Sequence, residues 1–260
     1  MDQRKNYLKR IEYINTKLPE MAEDNVLYVV SAELFTSAYL PDGFPAVVYN
    51  DLLKSDGSFF EGVKYVLEGE GEFDPEEFDD DYLENIYRRL KRIPWDILET
   101  QRCLIRETSI NDLDAFYEIY SDPEITRFTE NLMERSEEEK YTENYRDCIY
   151  EVYGHGIWTV VLKETGEIIG RAGLDERAGF DTPELGFVIG KKWQRQGLAY
   201  EACNGILKWA ADNGMKDIMS LTDQDNTASV NLLKKLGFSR HNKVYISGEE
   251  LDRYMMVHKT

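Results

Sequence analysis

No run of about 18 consecutive apolar residues occurs in the 260-residue chain, so no helix is expected to cross a bilayer. The opening Met1-Asp-Gln-Arg-Lys-Asn is polar and no apolar stretch follows it, which argues against a secretory leader. Cysteine is scarce. Cys103, Cys148 and Cys203 stand far apart, which excludes a disulfide framework, and they are expected to be reduced and partly buried. Histidine is scarce too: three occur, and only His155 precedes the final strands. No metal-ligand spacing results, and no metal is expected. Basic residues are outnumbered, with 31 Lys and Arg against 50 Asp and Glu and a formal charge of −19. A nucleic-acid backbone needs a basic face, so the balance argues against broad binding to nucleic acid, and none is expected as a partner, while nucleoprotein substrates stay open. These absences describe a soluble, cytoplasmic protein without a membrane partner.

What is present suffices for a packed core, at 42% hydrophobic and 12% aromatic residues. The length allows one large domain or two small ones. Charge is unevenly placed: residues 61–85 hold eleven acids and one base, Lys64. That segment reads as a solvated acidic face, with attraction of cationic substrates as the alternative.

The pattern divides the chain into two units, 1–100 and 101–260. In the first, apolar positions 7, 8, 11, 14 and 18 fall on one helical face, predicting a helix over 4–18 that Pro19 limits. Short β-type runs follow at 26–30, 46–49 and 63–67, with a turn at Pro41-Asp-Gly43. A second helix is predicted over 76–92 and ends before Pro94. This small α/β unit has no glycine fingerprint, no nucleophile elbow and no metal spacing. Acceptor recognition, homodimerisation or support of the second unit all remain open for it.

The second unit reads as a strand at 102–108, helices at 111–120 and 136–153, and strands at 157–162 and 167–174 around Glu164-Thr-Gly166. A strand at 185–189, a helix at 198–213, a strand at 217–222 and a helix at 226–236 follow, with Asn226 and Gly237 as its start and stop. Two strands close the chain, around 243–247 and 251–258, on either side of Gly248-Glu-Glu250.

The most informative stretch is Pro183-Glu-Leu-Gly-Phe-Val-Ile-Gly-Lys-Lys-Trp-Gln-Arg-Gln-Gly-Leu-Ala199. An apolar strand enters a short basic loop with a glycine, and an amphipathic helix begins. Such a turn presents free N–H groups and the positive end of the helix dipole, the arrangement that holds phosphate. Lys191, Lys192 and Arg195 make a positive island in an acidic chain. Gly197 permits close approach of the backbone, and Ala199 is small.

Gln194-x-x-Gly197-x-Ala199 resembles the pyrophosphate loop of the GNAT superfamily of acetyl-CoA-dependent N-acetyltransferases. Two further stretches are similar to that family: Asp225-Asn-Thr-Ala-Ser-Val-Asn-Leu-Leu-Lys-Lys-Leu-Gly-Phe238, and the opening Arg102-Cys-Leu-Ile-Arg-Glu…Asp112-Leu. The element order β-α-α-β-β-β-α-β-α-β-β also matches, over residues 101–260. The Asn226/Ser229 variant most resembles the branch with the Rim-type ribosomal-protein N-terminal acetyltransferases. The resemblance implies an α/β GNAT fold behind a small N-terminal α/β domain. It further implies acetyl-CoA as co-substrate, a primary amine as acceptor, and transfer by direct attack on the thioester.

By the same resemblance, Phe187, Val188 and Ile189 lie along the cofactor arm. Gln194, Arg195, Gln196, Gly197, Leu198 and Ala199 form the phosphate loop, and Asn226 and Ser229 contact the cofactor. Acetyl transfer needs a neutral amine, and an alkyl amine has a pKa of about 10. It also needs donors for the oxyanion and a route for the thiolate to gain a proton. Glu184, where the family often places a carboxylate, is the general-base candidate, and a plain strand-edge glutamate is the competing description. Many relatives carry a tyrosine three residues before the Leu-Gly-Phe. Leu233 stands there, so Ser229 is the substitute candidate for the acid. The acceptor is expected to be a peptide N-terminus or a small amine such as an antibiotic, polyamine or amino acid, with a few aromatic residues, most of them expected from the 120–155 region, lining its cleft while the other aromatics pack the core. Two other functions compete: a non-catalytic acyl-CoA-binding or regulatory module, and an interaction protein.

Overall fold

The computed structural model describes residues 7–35, 40, 43–54, 60, 63–246 and 248–257. Residues 4–6 of the predicted first helix, Pro41 and Asp42 of the predicted turn, and Ser247 and His258 of the last strands lie outside the described residues. The chain divides into two compact units, Met1–Trp95 and Asp96–Thr260.

In the first unit β1 (Arg10–Ile14), β2 (Val26–Ser31), β3 (Ala46–Asp51) and β4 (Val66–Gly69) form a parallel sheet in the order 1-2-3-4. β2 and β3 are buried along nearly their whole length, as expected of parallel strands covered on both faces. Leu27, Val29, Val47 and Tyr49 meet Leu83, Ile86 and Tyr87 of a helix, while Val26, Tyr28, Val30 and Ala46 fill the opposite face. A single turn, α1 (Ala32–Phe35), follows β2. The covering helix, α2 (Asp80–Leu90), starts where the Asp79 side chain accepts from the Tyr82 amide and ends with Arg88 and Arg89, charges that suit its dipole.

The predicted helix over 4–18 is not formed; β1 takes its place. The Glu84 carboxylate accepts from the amides of both Tyr7 and Leu8, at 3.0 and 2.7 Å, which holds the approach extended. Ile11, Tyr13 and Ile14 suit a strand, and the edge of β2 offers five register partners. Apolar spacing alone could not register that edge.

The second unit is an eight-stranded sheet of β5 (Asp96–Glu99), β6 (Cys103–Arg106), β7 (Ile157–Leu162), β8 (Ile168–Asp175), β9 (Glu184–Ile189), β10 (Asp217–Thr222), β11 (Ser239–Ile246) and β12 (Glu249–Val257). Their order is 11-12-10-9-8-7-6-5. All neighbours are antiparallel except β9 and β10. β5, too short to stand out as a pattern, adds an edge strand beside β6. The helices are α3 (Leu113–Tyr120), α4 (Pro123–Thr126), α5 (Arg135–Tyr145), α6 (Glu151–Tyr153), α7 (Leu198–Asp212) and α8 (Thr227–Leu236). Leu198, Ala202, Cys203, Ile206 and Ala210 of α7 enter one core with Ala172, Leu174, Leu185 and Ile189. The Arg106…Asp112 pair of the opening motif is structural. Arg106 grips the Asp112 carboxylate with both terminal nitrogens, at 2.7 and 2.6 Å, and the Ser109 amide and Thr159 hydroxyl complete the carboxylate's shell.

The continuous helix predicted over 136–153 is interrupted. Residues Arg146–Tyr150 form a π-type turn between α5 and α6. Five residues per hydrogen-bonded step bring Tyr145 and Tyr150 to the same side, with ring centroids 5.1 Å apart and nearly perpendicular. An unbroken α-helix would separate them by about 140°. Tyr145 then receives the Ile157 amide at 2.9 Å, and Tyr150 donates to the Ile157 carbonyl.

Both tyrosines thus fix the start of β7, and β8 approaches that point closely. A Cβ on Gly173 would lie 2.0 Å from the Gly156 oxygen and 2.7 Å from the Ile157 Cα, both backbone atoms. Gly173→Ala is therefore expected to cost about 3 kcal/mol. The check is the urea midpoint of the full chain; an unchanged midpoint would contradict this packing.

Candidate active site

β9 and β10 run parallel yet pair at one position alone, Met219 with Glu184. The Met219 amide reaches the Pro183 carbonyl at 2.9 Å, and the Ser220 hydroxyl reaches the Leu185 carbonyl at 2.8 Å. Beyond Leu185 the strands separate. On its other edge β9 stays paired with β8 through Ile189. The Gly190 amide donates to the Ile169 carbonyl, so by antiparallel alternation Val188, Gly186 and Glu184 direct their backbone groups toward β8. The N–H and C=O of Phe187 and the N–H of Ile189 then face the widening gap.

The gap leads into the loop. A 3-10 turn at Lys191–Trp193 precedes Gln194, whose side-chain amide donates to the Ile189 carbonyl at 2.9 Å. The Gln196 amide likewise donates to the Lys192 carbonyl at 3.0 Å. Gln194 and Gln196 thus brace the loop upon itself. Arg195 and Gly197 both take left-handed backbone angles, with φ of 62° and 79°. For Arg195 this is an uncommon conformation of the kind that gathers at functional sites. Gly197 is the N-cap of α7 and gives it no capping side chain, whereas Asp79 and Asn226 cap α2 and α8. The first helical bond runs from the Glu201 amide to Gly197, leaving the amides of Leu198, Ala199 and Tyr200 without intrahelical partners.

The positive island is smaller than its composition. Lys191 pairs with Glu124, and Lys192 with Glu167 at 2.8 Å. Among the described residues Arg195 has no ionic partner. Arg102 supports the loop from below: it bonds the Gln196 carbonyl at 3.1 Å and the Glu201 carboxylate at 2.7 Å. Burial works against ionisation of Glu201, yet donors from Thr100 and Arg102 outweigh it and hold its carboxyl below the usual range. Sequence reasoning gave Arg102 and Glu201 no role, because their contact spans 99 residues.

Glu184 opens β9 and is buried, at 8% exposure. Arg177 grips its carboxylate, and the Leu221 amide donates to it. Burial pushes the carboxyl up, and the Arg177 bond holds it part of the way down. Its register partner on β8 is Asp175, which accepts from the Tyr145 hydroxyl at 2.8 Å. Burial moves Tyr145 well above the usual tyrosine value, so it stays a neutral donor. His155 is buried behind this corner, between the Tyr153 carbonyl at 2.9 Å and Glu176 at 2.8 Å.

At the far side of the gap Asn226 accepts from the Ser229 amide at 3.2 Å, a helix cap, and the Ser229 hydroxyl makes no hydrogen bond among the described residues. Leu233 is wholly buried in the core. Asp175, Arg177 and Tyr145 were missed by sequence reasoning. Two-residue alternation along β8 could have found Asp175, since it places Arg171, Gly173 and Asp175 opposite the core face.

A family model for the acetyltransferase (GNAT) domain matches residues 102–239. The chain is 25% identical over 168 residues to the uncharacterized N-acetyltransferase p20 of Bacillus licheniformis, covering 61% of this chain and 93% of that protein. It is 26% identical over 251 residues to the uncharacterized protein MJ1062 of Methanocaldococcus jannaschii. That alignment covers 87% of this chain, and so reaches into the first unit, but 49% of the other. Among solved structures, the ribosomal L7/L12 alpha-N-protein acetyltransferase RimL, in complex with coenzyme A, aligns with 63% of this chain and 98% of its own. The TM-score is 0.54 at 12% identity, a likeness of fold.

The loop makes a test of its own. A Cβ on Gly197 would meet only the Arg102 Nη2 atom, at 3.6 Å, an ordinary contact, so backbone angle rather than crowding demands glycine. Gly197→Ala is expected to cost about 1–2 kcal/mol, and the larger Gly197→Asn less, because asparagine tolerates the left-handed region. Urea unfolding of both variants decides; Asn costing more than Ala would show crowding instead.

Proposed function

The chain belongs to the GNAT acetyltransferase family by the match over residues 102–239, and from that premise we propose that it transfers an acetyl group from acetyl-CoA to a primary amine. The carrying observation is the separation of β9 from β10 after a single pair, running into an uncapped helix N-terminus. Free backbone groups at Phe187 and Ile189 suit the amide-bearing arm of coenzyme A, and the amides of Leu198 and Ala199 suit its diphosphate. Arg195 adds the one local cation left without a carboxylate among the described residues. The thioester supplies an activated acyl group with a good leaving thiolate.

In this reading Glu184 takes the proton of the amine, directly or through water. Its raised pKa brings it nearer to neutrality, which favours a base working at neutral pH. Arg177 orients the carboxylate and keeps it ionised. Ser229, whose hydroxyl makes no hydrogen bond among the described residues, is the candidate donor near the leaving sulfur. A thiol with a pKa of about 8.5 departs as thiolate without strict need of one. The acceptor is a peptide N-terminus or a small amine.

A second reading, an acyl-CoA-binding module without turnover, draws support from buried Leu233 and from the engagement of Glu184 by Arg177. Release of free thiol from acetyl-CoA across a panel of amines separates the two.

The pH profile tests the base. Activity is expected to rise with pH through the Glu184 pKa, with a midpoint above that of a free carboxylate. Arg177→Gln removes the group that lowers this pKa, so the limb should move upward. Glu184→Gln should lower kcat/KM by about 10²–10⁴-fold while coenzyme A binding persists. Stability runs the opposite way: the raised native pKa makes ionising Glu184 costly, so its contribution is full at low pH and declines as pH rises through the native value. Undiminished turnover of Glu184→Gln would remove the assignment.

A further inference from the structure

The sheet face that bears Glu184 also carries two arginines that no carboxylate grips among the described residues. Cross-strand register pairs Asp175 with Glu184, Arg171 with Val188, Glu184 with Met219, and Leu221 with Arg253. Register partners share a face, so Arg171, Glu184 and Arg253 project to one side. Leu174, Leu185, Ile189 and Tyr254 project to the other, into the core. At a rise of about 3.4 Å per residue, Arg253 stands roughly 7 Å beyond Glu184 along the strands, on β12 two strands away and so roughly 10 Å to the side. Arg171 stands roughly 13 Å beyond it on the β8 side. Both lie in the direction in which β9 and β10 diverge.

Neither guanidinium has an ion pair or a hydrogen bond among the described residues. Arg102, Arg106, Arg135, Arg177 and Arg240 all grip carboxylates. Arg171 and Arg253 instead rest on aromatic rings, Phe116 at 4.8 Å and Phe180 at 5.9 Å. The Nε of each is shielded from solvent and donates to nothing. Ring stacking orients a guanidinium and leaves its N–H edge unspent. The carboxylates of this region are already engaged: Asp175 by Tyr145, Glu184 by Arg177, Glu138 by the Met133 amide, and Asp252 by Arg240. In a chain of net charge −19, two half-buried guanidiniums on one face with no ion pair or hydrogen bond among the described residues leave donors that a ligand can complete.

We propose that Arg171 and Arg253 bind an anionic group, a carboxylate or phosphate, carried by the acceptor. The acceptor is then a zwitterion, with its amine at Glu184 and its anion several bonds away, and not a polyamine or simple alkylamine. This rests on the acetyltransferase reading, which supplies the amine. The guanidinium fork binds carboxylate and phosphate alike by paired N–H donors.

The test uses the full chain saturated with coenzyme A, so that its own phosphate sites are filled. Inorganic phosphate and acetate are titrated in by calorimetry at fixed ionic strength. The wild type is expected to bind at least one of them in the millimolar range. Arg171→Gln and Arg253→Gln should each weaken that binding tenfold or more, and Arg171→Lys should keep part of it. Circular dichroism checks folding, and if Arg171→Gln does not fold, Arg253→Gln and Arg171→Lys decide. Preference for phosphate over acetate assigns a phosphate ester, and the reverse a carboxylate. A protein that binds coenzyme A but neither anion, or glutamine variants that bind like wild type, overturns the proposal and leaves the acetyltransferase reading standing. A protein that does not bind coenzyme A overturns both.

Discussion

Two parallel strands that touch at Glu184 and Met219 and then part set the terms for everything else in the second unit. Backbone groups inside a sheet are normally consumed by neighbours. Here β8 satisfies one edge of β9 completely, and β10 withdraws from the other. The core makes the withdrawal affordable, because Leu185 and Ile189 remain buried against α7 while the strand edge opens. The Gln194 amide then closes the end of the gap by capping the Ile189 carbonyl. Donors without partners are therefore concentrated along one path, from Phe187 to the first turn of α7.

Electrostatics follow the same division. Several cations of the second unit, Arg102, Arg106, Arg177, Lys192 and Arg240 among them, are held by carboxylates in a chain of net charge −19. Beside the loop and the Glu184 face, the described cations that no carboxylate grips include Arg195, Arg171 and Arg253. Tyr145 and Tyr150, brought into phase by the π-type turn, fix the start of β7, and Tyr145 also holds Asp175 on this face. Rigid supports of this kind allow one partly buried carboxylate to act in a defined direction.

Much of this was legible in the sequence, and the reasons differ by element. Strand, loop and helix at 184–212 could be read because alternation, a glycine and helical periodicity succeed one another without overlap. Asn226 and Gly237 marked the ends of α8 by cap chemistry, which is local. The segment near Ile11 was misread because its apolar spacing fits a helix, while its true partners lie on β2 and its brace is Glu84. The π-type turn was invisible because no residue type demands it; ring packing between Tyr145 and Tyr150 selects it. Arg171 and Arg253 gave no signal, since a missing partner exists only in three dimensions. Leu233, where many members of the family carry a tyrosine, is buried in the core and offers no proton donor.

Amide hydrogen exchange of the full chain, with and without coenzyme A, reads the central claim most directly. The account predicts new protection at the amides of Phe187, Ile189, Leu198 and Ala199, which have no partners in the sheet or helix. Protection confined to other segments, with these amides unchanged, would contradict it.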